Sequence, residues 1–205
     1  MRRRRFHLFA GLALLVIAAG GVLLFGQRGA SGQSVSSVGG ESLAVSGTGS
    51  VPYYLQNDPA WAAETLGGSG ETMGSAGCTV SCIASGVSAL GSPMDPGEVC
   101  AALKSADGFT GSGEVIWSAV SEITGGKIRI ELPVLSYDVI DRELSQGRPV
   151  ITKVMLSETV PHWVLIVAKD GQEYLVVDPL NQERRLVRLS ERSATIHAIR
   201  VLRRG

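Results

Sequence analysis

The sequence predicts an α+β domain in which an N-terminal helical half packs on a mostly antiparallel β-sheet half. Two features of the pattern lead there. Helix signals occupy the stretch from residue 78 to residue 123, and from residue 127 onward short alternating or β-branched runs separated by turn residues take over. A hydrophobic fraction of 44% over 205 residues is ample for one such core plus extra segments.

The elements follow in order. Residues 1–26 carry Arg2, Arg3, Arg4 and Arg5 ahead of an apolar run over 6–25, which reads as a signal peptide or a single transmembrane anchor. The arginines should stay in the cytoplasm and send the rest of the chain outward, to the membrane's far face or into secretion. Ala30-Ser31-Gly32 could serve as a cleavage site. Residues 27–50, rich in Gly, Ser, Ala and Val, read as a flexible linker, and order is expected to begin near Val51, where 51–56 opens as a short extended segment. Asn57-Asp58-Pro59 is a turn signal, and Trp61 is a candidate core anchor.

A small-residue loop, Gly74-Ser75-Ala76-Gly77, then delivers Cys78 to the first turn of a buried helix running to about Leu90. Asp95-Pro96-Gly97-Glu98 starts the next helix with an N-cap, a proline at the first helical position and a capping-box glutamate. A third helix is expected around 114–123, closed by Gly125-Gly126. Then come a strand over 127–131, a helix over 136–146 capped by Ser136 and stopped by Gly147, and strands over 149–156, 162–168, 174–177, 185–189 and 195–202. Lys169-Asp170-Gly171 is a hairpin turn.

Charge narrows the function. Five arginines and one glutamate lie in residues 1–50, so the body from residue 51 has fourteen basic residues against eighteen acidic ones, which argues against a nucleic-acid partner. The sequence carries no glycine-rich phosphate loop, no metalloprotease motif and no metal-ligand spacing around Cys78-x-x-x-Cys82, so no cofactor is expected.

Cys78 is the candidate nucleophile, because unpaired N–H groups and the dipole at a helix N-terminus favour a thiolate. The alternative is an ordinary buried cysteine. Beyond the first segment only His162 and His197 can act as its base. His162 opens a strand, where its ring can face a cleft; His197 lies mid-strand, as a core or edge histidine would. His162 is about eight positions before the expected turn and Asp178 about seven after it, so antiparallel pairing brings the two close. A carboxylate there would hold the imidazole in its working tautomer and favour a thiolate–imidazolium pair with Cys78.

Taken together, Gln56-Asn57-Asp58-Pro59-Ala60-Trp61, Thr72-Met73-Gly74-Ser75-Ala76-Gly77-Cys78, His162-Trp163-Val164-Leu165-Ile166 and Asp178-Pro179 resemble the cysteine peptidase family thirty-nine-like domains, papain-like relatives of the double-glycine leader peptidases fused to bacteriocin exporters. The resemblance spans about 51–189. It implies a papain-like fold over 51–205 and a peptide or protein substrate. It also implies Cys78 as nucleophile, His162 as general base and acid, Asp178 as orienter, and Gln56 as side-chain donor of an oxyanion hole completed by the Cys78 N–H. The loop before Cys78 is longer than in the exporter-fused domains, Thr79-Val80 stands where many relatives have Gly-Pro, and this domain should face outward. Leader-peptide cleavage is therefore not carried over.

The expected protein is an exported or membrane-tethered cysteine peptidase-like hydrolase. A cell-wall amidase of the same clan and a non-catalytic peptide- or glycan-binding module are the alternatives. Three cysteines in an oxidising compartment suggest a Cys82–Cys100 disulfide with Cys78 free; simple burial of Cys82 is the other reading.

Overall fold

The computed structural model describes residues 33–34, 41–45, 51–193 and 195–205. The expected signal or anchor segment and most of the expected linker lie outside the described residues. Among the described residues no helix is long and apolar enough to cross a membrane.

The architecture is α+β. Helices α1 (Met73–Ala76), α2 (Cys78–Ala89), α3 (Pro96–Ser105) and α4 (Ala119–Ile123) come first. With the short strands β1 (Gln33–Ser34) and β2 (Leu43–Ala44) ahead of them, the remaining elements are β3 (Ile128–Glu131), α5 (Tyr137–Ser145), β4 (Val150–Met155), β5 (Pro161–Asp170), β6 (Glu173–Val177), β7 (Val187–Arg188), β8 (Thr195–Ile196) and β9 (Ala198–Arg204). The main sheet runs β3-β9-β4-β5-β6-β7, with β2 added to the far end of β5, and every pairing is antiparallel.

Local chemistry accounts for the boundaries. The Asp95 carboxylate accepts from the Glu98 N–H at 2.8 Å while Glu98 accepts from the Asp95 N–H, closing the capping box of α3. Ser136 caps α5 through the Asp138 N–H. Helix α2 is buried on nearly every side, and its Gly86 lies against the Leu202 and Leu165 side chains, so a run of small residues lets the helix sit close to the sheet. Register places Ile151, Leu165 and Arg200 on that α2-facing side. Asp141 of α5 instead takes the Lys169 ammonium and, at 2.7 Å, the Tyr174 hydroxyl, which project from the other side; the two helices cover opposite faces.

Several expectations need correction. The helix expected over 114–123 forms only as α4. After a turn at Gly113 (φ 83°), Val115 bridges Phe109, Glu114 accepts from the Thr110 N–H and the Ile116 N–H reaches Gly108, so the start of the segment is spent on a hairpin-like loop. The strand expected over 195–202 breaks at His197, whose N–H donates to Lys153 O while the preceding pair turns away to β1. The strand over 185–189 shortens to β7 and passes into a 3-10 turn at Leu189–Glu191. The chain at Leu43–Ala44 is already sheet, ahead of Val51. The hairpin turn is Gly171-Gln172, with Gly171 at φ 61° where a two-residue loop wants glycine. All three cysteines are free: the Cys82 thiol faces Trp163 O at 3.4 Å and the Cys100 thiol faces Thr65 O at 3.5 Å, each occupied by a different carbonyl.

One irregularity positions the site. Asp170 pairs with Glu173 and Ala168 with Leu175, but beyond Val167 the register shifts, so that Ile166 pairs with Val176 and Leu165 with Val177. The extra residue is a β-bulge.

Candidate active site

The short helix α1 is closed by a Thr72–Ser75 capping box, and Gly77 separates it from α2. A Cβ on Gly77 would stand 2.4 Å from Met73 O and 2.8 Å from Met73 Cα, so only glycine allows the chain to fold back this tightly and begin α2 at Cys78. The Cys78 side chain therefore projects from the first turn of a helix, into a cleft of about 770 Å³ between the helical half and the sheet.

Strand β6 ends at Val177, so among the described residues the Trp163 backbone groups on that side of β5 have no strand neighbour. Helix α2 takes the vacated place. The Trp163 N–H interacts with the Cys78 sulfur, and the Cys82 thiol, one turn on, donates to Trp163 O. This docking sets Cys78 beside His162, which hydrogen-bonds to it.

His162 is 2% exposed and Asp178 1%. Nε2 of His162 lies 2.8 Å from Asp178 Oδ1, which leaves Nδ1 as the ring nitrogen for the thiol. Asp178 Oδ1 also accepts the Leu180 N–H at 2.9 Å, and Oδ2 pairs with Arg192 at 2.7 Å. Burial disfavours the Asp178 carboxylate, but His162 and these partners outweigh it and lower its pKa. Burial also disfavours the imidazolium, yet Asp178 and Cys78 together push the His162 pKa up to about 9. For Cys78 burial opposes ionisation, and the hydrogen bond and charge of His162, with help from Trp163 and Thr79, bring the thiol below its ordinary value. The favoured pair is thiolate and imidazolium. Cys82 goes the other way: full burial and the neighbouring Cys78 raise it well above the usual thiol range, so it stays a protonated donor.

Gln56 is 3% exposed and lines the same cleft. Its N–H donates to Pro179 O at 3.0 Å, its Nε2 donates one hydrogen to Gly74 O at 3.0 Å, and its Oε1 is buried without a partner among the described residues. The loop around it is tied to the segment after Asp178: Asn57 accepts from Gln182 at 3.0 Å and Asp58 from Arg184 at 2.8 Å.

The structure thus brings Cys78, His162, Asp178 and Gln56 to one place. His197 also lines the cleft, but its Nε2 is held at 2.9 Å by the Thr195 hydroxyl. Two neighbours escaped the sequence reading. The Tyr53 hydroxyl accepts the Asp178 N–H and donates to Asp178 O, both at 3.0 Å, clamping that residue's backbone; Arg192 pairs with its carboxylate. Tyr53 is 125 residues away along the chain, and no local pattern marks such a partner.

The model of the Peptidase_C39 like family matches residues 48–195. Among solved structures, the chain is similar to a provisionally assigned C39-like peptidase from Bacillus anthracis, with a TM-score of 0.55 and 15% identity, covering 81% of this chain and 99% of that one. That likeness is one of fold. No curated protein matches the chain.

Proposed function

The chain belongs to the Peptidase_C39 like family, and from that premise we propose that it is a papain-like cysteine hydrolase that cleaves a peptide or amide bond through Cys78, His162 and Asp178. The observation that carries this reading is His162 bonded on one side to Asp178 and on the other to Cys78.

In the proposed cycle the Cys78 thiolate attacks the scissile carbonyl carbon, and the carbonyl π electrons move onto oxygen. The Cys78 N–H at the start of α2 and the uncommitted hydrogen of Gln56 Nε2 are the donors for that oxyanion. The C–N bond then breaks, the leaving nitrogen takes the proton of the His162 imidazolium, and the acyl group remains as a thioester. Water, giving its proton to His162, attacks the thioester; the acid leaves, and the thiolate–imidazolium pair is restored. Asp178 holds the ring in the tautomer that both proton transfers need. The apolar rim at Leu156, Val160 and Leu180, each partly exposed, offers a peptide side chain somewhere to lie.

The composition of residues 1–26 supports export, with the domain outside the membrane, either tethered or released. Cell fractionation with protease protection tests that part.

The catalytic part is tested with the wild type and Cys78→Ser against a fluorogenic peptide library and, in parallel, purified peptidoglycan. Turnover of peptides by the wild type and none by Cys78→Ser supports the proposal. Equal turnover by both overturns it, and turnover of peptidoglycan alone replaces the peptidase with an amidase.

A further inference from the structure

The cleft beside Cys78 is electrically divided. Glu71 and Glu114 belong to its helical wall, and Lys153, His197 and Arg200 to its sheet wall. Lys153 pairs with both Trp163 and Ala198, and Ile151 with Arg200, so alternation puts Lys153, Trp163 and Arg200 on the same α2-facing side of adjacent strands.

Arg200 is held in place. Its guanidinium carbon lies 5.0 Å from the Trp117 ring centroid and 5.2 Å from that of Trp163, and the two indoles meet edge to face at 5.2 Å. One Nη donates to Ile199 O at 2.8 Å, while the buried Nε has no acceptor among the described residues. Burial lowers the Arg200 pKa. The other half-buried arginines, Arg148, Arg192 and Arg203, all have acidic partners, and the described arginines without one, Arg188 and Arg204, are exposed to water. Neither Arg200 nor Lys153 has one among the described residues, and both line the cleft.

A purely structural Arg200, clamping Trp117 of the helical half to Trp163 of the sheet, would explain the stacking. It would not explain a half-buried guanidinium left without a counter-ion beside a lysine in the same condition. A partly desolvated cation is costly until an anion meets it, and a fixed planar fork matches a carboxylate.

We propose that Arg200 and Lys153 form a specificity subsite for a substrate carboxylate, carried by an acidic side chain or by a free peptide C-terminus. The proposal rests on the peptidase reading of the cleft. Glu71 and Glu114 on the facing wall repel the same group, so the carboxylate is directed to the sheet side.

The test uses the full chain and a fluorescein-labelled octapeptide library in which each position in turn is Glu or Gln, with the C-terminus free or amidated. Binding to Cys78→Ala is read by anisotropy, and turnover by wild type as kcat/KM. The expected result is a preference of about 10-fold for the acid over its amide at one position or at the terminus, weakened by salt and removed by Arg200→Gln and by Lys153→Gln. Lys153→Gln leaves the indole–guanidinium stack intact and stands in if Arg200→Gln fails to fold. A preference at an internal position with an amidated terminus assigns the subsite to a side chain, and one seen only with a free terminus assigns it to the chain end. Turnover without any acid preference, a preference that survives both variants, or no binding of acidic peptides overturns the subsite. Salt-sensitive acidic binding by Cys78→Ala with no wild-type turnover supports the subsite and removes the peptidase.

Discussion

His162 and Asp178 are bonded through Nε2 and Oδ1 at 2.8 Å, although the β5–β6 register sets them two residues apart. Val177 pairs with Leu165, so Asp178, next along, falls opposite Val164, a two-residue step from His162 and on its side of the sheet. The pairing at Asp170–Glu173, continued without the bulge at Val167, would instead put Asp178 opposite Leu165 and on the wrong side.

Replacing Asp178 with Asn keeps the shape and removes the charge. The His162 pKa should fall, and hydrolysis should drop on the order of 10²-fold, since the ring loses both its tautomer control and its imidazolium partner. Steady-state kinetics and the pH profile of Cys78 alkylation check this together: the alkaline limb should move to lower pH.

In the wild type the alkylation rate with iodoacetamide should rise as Cys78 ionises, at a pH below the usual thiol value, and change again as His162 loses its proton near pH 9. Turnover should fall on that alkaline side, because the leaving nitrogen then finds no acid. The stability sign follows from the same shift. The folded His162 pKa lies above its ordinary 6.5, so its contribution is complete below about pH 6.5 and is lost as pH rises through about 9. Urea midpoints across that range, compared with His162→Gln, measure it.

Tyr53→Phe removes the hydroxyl that grips the Asp178 backbone from both sides. Stability should fall by about 1–2 kcal/mol. Because Tyr53 acts through Asp178, kcat should decline more than KM changes, and the alkaline limb of alkylation should shift in the same direction as in Asp178→Asn. A merely structural tyrosine would lower the urea midpoint and leave that limb in place.

Gly77→Ala should cost about 1–3 kcal/mol, because the new methyl meets the Met73 backbone, which cannot give way as the Met73 side chain can. As the displaced turn carries Cys78, the alkylation rate of the remaining folded protein should fall as well. Thermal melts and labelling rates read the two effects separately.

Capping residues and long alternating runs are the legible part of the sequence. Asp95, Pro96 and Glu98 mark the start of α3, Ser136 and Gly147 bracket α5, and the alternating runs from Ile128 to Val177 appear as β3 to β6. The approach of His162 to Asp178 follows from chain distance around a turn, yet the bulge that makes it work has no signature in Leu165-Ile166-Val167-Ala168, four residues that read alike. Trp117 falls inside the helix expected over 114–123, yet it lies ahead of α4 and packs against Trp163 and Arg200. The expected Cys82–Cys100 link came from counting thiols, and counting is blind to the carbonyls that occupy them.

The Trp163 backbone beside Cys78 also sets a schedule. As the chain is made from its N-terminus, residue 78 emerges long before residues 162, 178 and 192, and an isolated thiol there is an unremarkable, weakly acidic group. The lowering of its pKa needs His162, held in turn by Asp178 and Arg192, so under the proposed function a nascent or truncated chain ending before Asp178 is chemically quiet at this position, and the domain is armed by its own folding.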